Sequence, residues 1–290
     1  MSESWRDPTA AWWAKAARAL KHIRDADSVA SAYESAKPYE IRREATDRPG
    51  EVAFRFRLLK PVPVELLTII GDAIHNMRSS LDSVAFELAR QQLRGTMTDR
   101  QERAAQFPIA QDRAEFDDFF DSHKFRRQMY GQRERDTMRC VQPFAIREEA
   151  AADGVDWATS PAEEYRINEL ARLNHLSNVD KHRRLPLLAW YLDLVYWTGD
   201  DPDITWRPAH QPFTAIADCN IIGYMTSRSG DRTCVPEPTI ELQLALADDP
   251  GYPHDLMRVL ERWHQYLVSW VLPRMFAVAD GNPPPILIAG

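Results

Sequence analysis

Three features are scarce in this 290-residue chain, and each scarcity excludes a class of protein. Cysteine occurs 3 times, at separated positions and without a CxxC pair, which excludes a disulfide framework. Glycine occurs 11 times, and the sequence contains neither a Walker loop nor a GxGxxG segment. The longest apolar run, residues 185–197, is interrupted by Asp193 and is shorter than the roughly 20 residues that a membrane span needs.

The N-terminal segment and the cysteines indicate the cellular compartment in which the protein is expected. The N-terminal segment MSESWRDPTAAWW lacks the basic and apolar regions of a secretory signal. An odd number of separated cysteines is typical of proteins in a reducing environment, where each thiol stays free. We therefore expect a cytoplasmic protein with no membrane partner.

Acidic residues outnumber basic ones. Asp and Glu total 43 against 36 Lys and Arg, which gives a formal net charge of −7 and a pI near 5.7. This balance argues against a protein that coats nucleic acid non-specifically, and it leaves room for a local basic groove. The apolar share of 44% and the charged share of 27% are ordinary for a globular protein, so we expect one folded domain over residues 1–290.

Hydrophobic periodicity predicts an α+β fold in which a helical core carries a small antiparallel sheet. The helical pattern covers residues 9–35, 63–179 and 254–278. An N-terminal β-hairpin is predicted at 39–59, where alternating apolar residues flank the turn sequence DRPG. Further strands are predicted within 186–247.

Four local features are predicted within these segments. Gly95 follows the helix at 63–93 as a candidate C-cap. Residues 148–160 are rich in Ala, Asp and Ser and are interpreted as an exposed connection, whereas 212–218 is predicted as a strand. Pro273 is expected to kink the end of the last helix.

The helix predicted at 63–93 carries a polar stripe. His75, Arg78 and Asp82 stand at positions i, i+3 and i+7, which places the three side chains on one helical face. That face borders apolar positions, so we expect partial shelter from solvent. The same arrangement is also typical of a satisfied structural network, because buried charges are found paired.

A second stripe belongs to the helix predicted at 161–179. His175, Asn178 and His182 repeat the i, i+3, i+7 spacing if the helix continues that far. A neighbouring stripe consists of Asn174, Asn178 and Lys181. Because each helix combines histidine with charged or amide groups, we expect the two helices to converge on one polar site. The sequence has no HExxH or CxxC pattern, so no metal site and no cofactor are predicted.

Four short segments resemble a widespread, poorly characterised family of bacterial and phage proteins. The segments are HNMRSSLDS at 75–83, FPI at 107–109, QPF at 142–144 and LNHLSNVDKHR at 173–183. Members commonly carry an HNLRSALDH-like helix, an FPI-like loop, a QP-aromatic step and an N-x-x-DKHR helix end, in this order. The resemblance spans about 60–190, and the family is similar in turn to the HEPN superfamily of helical ribonucleases and nucleotide-binding domains.

The HEPN signature is an arginine followed, after four to six residues, by a histidine. The familiar version would pair Arg78 with a histidine at position 83, where this chain has Ser83. In HEPN-type cleavage the histidine is implicated in acid–base chemistry at the 2′-hydroxyl and the arginine in phosphate binding, and serine cannot supply the missing imidazole. Arg258 and His264 also have the spacing, but a chain this rich in arginine is expected to contain such a pair by chance.

The resemblance implies a HEPN-like core and a metal-independent endoribonuclease of toxin or defence type that acts on RNA or a nucleotide. It also implies a homodimer and an antitoxin or defence partner. The corresponding catalytic candidates are His75, Arg78, Asp82 and His182. The corresponding binding candidates are Asn76, Asn174, Asn178, Asp180, Lys181 and Arg183.

Two alternatives stay open. Ser83 and the net charge of −7 favour a HEPN-like module without catalysis, which binds a nucleotide or a partner protein through the same polar cleft. The doubled histidine stripes favour the enzyme. An uncharacterised small-molecule enzyme that uses the cleft is the third interpretation, and the sequence does not decide whether the protein is an enzyme at all.

Overall fold

The computed structural model describes residues 9–152, 154, 168–181, 188–198, 203–210, 214–247 and 255–280. The helices in these ranges are α1 (Ala11–Ser35), α2 (Val64–Gln92), α3 (Asp99–Ala104), α4 (Arg113–Asp121), α5 (Lys124–Met129), α6 (Gln132–Arg139), α7 (Pro143–Ala152), α8 (Glu169–Lys181), α9 (Leu256–Tyr266) and α10 (Leu272–Ala279). The strands are β1 (Tyr39–Ala45), β2 (Glu51–Leu58), β3 (Leu188–Tyr196), β4 (Ile204–Pro208), β5 (Ile221–Ser227) and β6 (Thr239–Leu246). A 3₁₀ turn covers Arg232–Cys234, and a π-helical turn covers Leu267–Val271.

The α+β class predicted from the sequence is confirmed. Four strands form one sheet in the order β1-β2-β5-β4, and β3 pairs with β6 in a second, two-stranded sheet. Every one of these pairings is antiparallel. No helix within the described residues combines the length and the hydrophobicity needed to cross a bilayer.

Backbone proximity divides the chain into two compact units. Unit 1 consists of Met1–Arg24, Ile70–Arg184 and Leu260–Gly290, and unit 2 consists of Asp25–Ile69 and Leu185–Val259. Helices α1, α2 and α9 each begin in one unit and end in the other. The single domain over 1–290 stays a prediction.

Helix α2 supplies a continuous apolar face to the core of unit 1. Ile70, Ile74, Met77 and Leu81 have no solvent exposure, and they recur every three or four residues, as one face of a helix requires. On α8, Leu173 is 2% exposed. The periodicity in the sequence therefore predicted the buried faces of both helices.

Helix α2 ends in a Schellman motif, and the left-handed residue of this motif lies one position before Gly95, the predicted C-cap. Arg94 takes the left-handed position with φ 56°, and its N–H donates to the carbonyl of Gln91 at 3.1 Å. Gly95 has φ 106°, and its N–H donates to the carbonyl of Arg90 at 2.8 Å. Arg94 therefore occupies the left-handed cap position that the sequence predicted for Gly95. Gly95 is the next residue after the cap.

The predicted hairpin is confirmed, with β1 paired to β2 from Tyr39–Leu58 to Ala45–Val52. Its turn requires glycine at position 50, because φ is 71° and an added Cβ would lie 2.5 Å from the carbonyl oxygen of Ser227. One face of the sheet packs into a small core in unit 2. That core consists of Val52, Phe54, Ile204, Met225 and Val235.

The structure differs from two further local predictions. Residues 148–152 belong to α7, with Ala150 buried, so this part of the predicted 148–160 connection is helical. In the predicted strand 212–218, the described residues form only an isolated bridge between Ile216 and Trp190. Residues 155–167 and 211–213 lie outside the described ranges, and α8 begins at Glu169.

The last helix is interrupted just before Pro273, the residue that was expected to kink it. A π-helical turn, Leu267–Val271, separates α9 from α10, whose second residue is Pro273. Proline has no N–H to donate into the preceding turn, and π turns are a second recognised cause of irregularity in a helix.

Candidate functional site

Arg78 of α2 is the centre of a hydrogen-bonded network within unit 1. The side chain is nearly buried, at 8% exposure for the residue. Its Nη1 donates to Oδ1 of Asp82 at 2.7 Å, and its Nη2 donates to the carbonyl oxygen of Phe107 at 2.6 Å. Its Nε donates to Oδ1 of Asn174 on α8 at 3.4 Å, a long contact. All three guanidinium nitrogens therefore donate to acceptors within the protein.

The FPIA loop, residues 107–110, is held from two sides. The N–H of Phe107 donates to Oδ1 of Asp82 at 3.0 Å, so Asp82 and Arg78 together bind both backbone groups of this residue. Gln142 has no solvent exposure; its Nε2 donates to the carbonyls of Pro108 at 2.9 Å and Met138 at 3.0 Å. Its Oε1 accepts from the N–H of Ala110 at 2.9 Å.

This arrangement brings the segments HNMRSSLDS, FPI and QPF together around one buried loop. A buried loop must satisfy its backbone N–H and C=O groups, and here α2 and Gln142 satisfy them. Gln142 was not among the predicted site residues. The signal that could have found it is the buried FPIA loop itself, since a proline-containing apolar loop needs polar side chains elsewhere in the chain to hold its backbone.

The predicted site residues of α2 separate into two groups. Arg78 and Asp82 form the network just described. His75 is exposed, and its Nε2 lies 3.3 Å from Oγ of Ser79. Asn76 donates from its side chain to the carbonyl of Asp72 at 2.8 Å, within its own helix.

On α8, only one predicted residue reaches the network among those described. Asn174 binds Arg78, whereas His175 and Asn178 are exposed. Asp180 and Lys181 lie in the last turn of α8, and their side chains are outside the described part. His182 and Arg183 lie wholly outside the described residues, so the predicted convergence of Arg78 with His182 stays a prediction.

A groove of about 650 Å³ opens in unit 1 beside Ser83. Trp12 and Phe86 supply apolar surface to it, and Lys15 and Arg90 supply positive charge. Ser83 itself is half-buried and donates from Oγ to the carbonyl of Ser79 at 2.8 Å. We refer to this space as the Ser83 groove.

The charges around the Ser83 groove are unequally paired. Arg90 binds Glu87 at 2.6 Å, and Asp82 is bound by Arg78. Lys15 donates from Nζ to the carbonyl of Ser79 at 3.4 Å and has no carboxylate partner in the part of the chain that the structure describes. Lys15 therefore brings a positive charge to the groove that no described carboxylate balances.

Two side chains of unit 1, Cys140 and Tyr130, have groups that can act as a nucleophile or a base. Their raised pKa values make them unsuited to either role. Burial raises the pKa of the Cys140 thiol to about 12, so the reactive thiolate is scarce at neutral pH. Burial likewise raises the pKa of Tyr130 well above its ordinary value. Within the described ranges, no group of three or more His, Cys, Asp and Glu side chains is arranged to hold a metal ion.

Comparisons with protein-family models, with curated proteins and with solved structures found no match to this chain. The resemblance to the HEPN superfamily therefore depends on the motif residues alone.

Proposed function

We propose that the chain is a HEPN-like module that binds a nucleotide in the Ser83 groove and does not cleave RNA. The observation that carries this proposal is that Ser83 lines a ligand-sized groove at the position where the HEPN signature has histidine. A serine hydroxyl can donate and accept hydrogen bonds, but it does not exchange a proton near neutral pH as an imidazole does. The groove therefore has the size to bind a nucleotide, and it lacks the imidazole that the signature would place at position 83.

The bonding of Arg78 supports a module without catalysis. An arginine that stabilises a phosphate during cleavage has to direct its N–H groups at the ligand. Here Nε, Nη1 and Nη2 each donate to a protein acceptor, and the side chain is nearly buried. Arg78 therefore acts by holding the FPIA loop against α2.

The composition of the Ser83 groove suits a nucleotide. Aromatic and apolar surfaces, here Trp12 and Phe86, are what a base requires on its faces. Lys15 supplies the positive charge that a phosphate requires, whereas Arg90 is paired with Glu87 of the same lining. The volume of about 650 Å³ lies in the range of about 300–1,000 Å³ that is typical of small-molecule sites.

The charge of the whole chain favours a small ligand over a long polyanion. A formal net charge of −7 opposes the non-specific association with phosphates on which RNA-coating proteins depend. A single nucleotide needs only a local contact with Lys15, so the overall charge does not prevent its binding.

Calorimetric titration of the full chain with ATP, GTP, CTP and UTP tests the proposal. We expect saturable binding of at least one of them, with a Kd about tenfold higher in Lys15→Ala because one charge-assisted contact is lost. Lys21→Ala, on the same helix and not among the residues that line the groove, is the matched control and should leave the Kd unchanged. Adenosine and inorganic triphosphate, titrated separately, show whether base or phosphate dominates. If none of the four nucleotides binds at millimolar concentration, the proposal is wrong.

The metal-independent ribonuclease is the second candidate, and the exposure of His75 favours it. His75 lies one helical turn before Arg78, and its imidazole is accessible to a ligand. This candidate predicts cleavage of RNA by the purified protein in EDTA, abolished in His75→Ala and retained in His22→Ala, a histidine of α1. Cleavage with that pattern would replace the binding module by the enzyme.

A further inference from the structure

A second cavity, of about 390 Å³, lies within unit 2. Its walls are mainly apolar and include Leu192, Leu194, Trp206, Ile216 and Ile222. Three polar side chains share the lining, namely Asp193, His210 and Thr214. None of these residues lines the Ser83 groove, so the cavity is a separate site with its own chemistry.

Strand β3 has a bulge at Asp193, one of the residues that line this cavity. Leu192 is in register with Leu242 and Leu194 with Glu241, which leaves Asp193 without a partner residue on β6. In a regular strand, successive side chains point to opposite faces, and Asp193 would point away from the surface that its neighbours form. Four consecutive residues of β3, from Leu192 to Val195, line the cavity at this bulge, and bulges are over-represented where a side chain is re-aimed next to a site.

The polar groups of the cavity differ in exposure and in partners. Nε2 of His210 is shielded from solvent and has no hydrogen-bond partner among the described residues. A shielded nitrogen without a partner is costly, and a bound ligand would supply one. Asp193 is exposed and has no ion pair within the described part of the chain. Leu194 beside it is 50% exposed, so apolar surface next to the carboxylate is open to solvent.

We propose that this cavity binds a small primary ammonium compound with an aromatic or branched aliphatic body. A primary ammonium has three N–H donors, and the lining of the cavity includes three residues with acceptor groups: the carboxylate of Asp193, a ring nitrogen of His210 and the hydroxyl of Thr214. The apolar body lies against the wall that includes Trp206 and Ile216. The uncompensated carboxylate disfavours an anion in the same place.

Titration of the full chain with 2-phenylethylamine tests this site. We expect saturable binding, with a Kd at least about tenfold higher for 2-phenylethanol, which has the same body without the charge. Asp193→Asn is isosteric and should raise the Kd for the amine at least about tenfold, and Thr214→Val should raise it by a smaller factor. Glu237→Gln removes an exposed carboxylate of unit 2 that does not line the cavity, and it should leave the Kd unchanged.

Three results would overturn the inference. The first is the absence of saturable binding of 2-phenylethylamine at millimolar concentration. The second is an equal Kd for the amine in Asp193→Asn and in the unmodified protein. The third is tighter binding of 3-phenylpropionate than of the amine, because the cavity would then select an anion. Ligand-observed NMR on the same variants provides an independent measurement of each result.

Discussion

Nη2 of Arg78 lies 2.6 Å from the carbonyl oxygen of Phe107, and the N–H of the same Phe107 donates to Oδ1 of Asp82, the carboxylate that Arg78 also binds. The three residues form a closed set of hydrogen bonds between α2 and the FPIA loop. Since Arg78 is nearly buried and Asp82 is half-buried, breaking the set leaves unsatisfied groups inside the protein.

Replacing Arg78 by Lys should therefore destabilise the fold although the charge is kept. Lysine offers a point charge and cannot reach Asp82, Phe107 and Asn174 together as the planar guanidinium does. We expect the free energy of unfolding to fall by about 1.5–3 kcal/mol, the range for hydrogen bonds to charged groups. Urea denaturation measures the change, with exposed Arg90→Lys as the control. An unchanged midpoint in Arg78→Lys would show that the network does not stabilise the loop.

Gln142→Met should destabilise the protein while preserving the size of the side chain. The substitution leaves the N–H of Ala110 and the carbonyl of Pro108 without partners in a buried position. At about 1–3 kcal/mol for each unsatisfied group, a loss of several kcal/mol is expected. Gln111→Met, at an exposed position, is the matched control in the same denaturation experiment. Equal stability of the two variants would contradict the role assigned to Gln142.

Leu81→Ala and Leu173→Ala should each cost about 2–5 kcal/mol, because both side chains are buried and their truncation leaves cavities. Val64→Ala removes apolar atoms from a side chain that is 67% exposed, and it should cost far less. Chemical denaturation of the three variants compares the effects directly. Midpoints unchanged in both leucine variants would mean that the apolar faces of α2 and α8 do not form the core.

The stability of the protein should decrease as the pH is lowered, and His264 should contribute to this decrease. Burial lowers the pKa of His264, an effect that the charge of Arg24 increases and that the contact of Nε2 with the carbonyl of Ala16 opposes. Below an ordinary histidine pKa of about 6.5, the unfolded chain takes up a proton that the folded chain does not, so stability is lost as pH falls.

His264→Gln is the variant that isolates this effect, because glutamine can still donate to the carbonyl of Ala16 and does not titrate. We expect a smaller decrease in unfolding free energy between pH 7.5 and pH 5.5 in His264→Gln than in the unmodified protein. Exposed His75→Gln should retain the full decrease. Equal decreases in all three proteins would show that His264 does not contribute to the pH dependence.

The parts of the fold that the sequence predicted are those that depend on local pattern. The apolar face of α2 follows a helical period, and the hairpin at Tyr39–Leu58 follows a period of two residues around a turn. The strand at 212–218 was predicted as one of several short segments separated by Gly, Pro and Asp, and Ile216 forms only a single bridge to Trp190. Short apolar runs without a clear partner are the weakest basis for such a prediction.

The candidate site could be predicted only in part. The i, i+4 spacing of Arg78 and Asp82 is local, so the sequence could place both on one face. Gln142 binds a loop more than 30 residues away, and the periodicity of neither segment indicates that pairing. The bulge at Asp193 depends on the register of β3 against β6, which the sequence of β3 alone does not determine.

The order of the four-stranded sheet has a consequence for the synthesis of the protein. Strand β2 lies between β1, its neighbour in the chain, and β5, which begins at Ile221. During translation the hairpin is complete long before β5 exists, and one edge of β2 then presents unpaired backbone groups beside the apolar residues Val52, Phe54 and Phe56. The nascent chain therefore passes through a stage in which the edge of β2 is unpaired and can associate with other chains. We expect the yield of soluble protein to depend most on chaperones for chains that are truncated between β2 and β5.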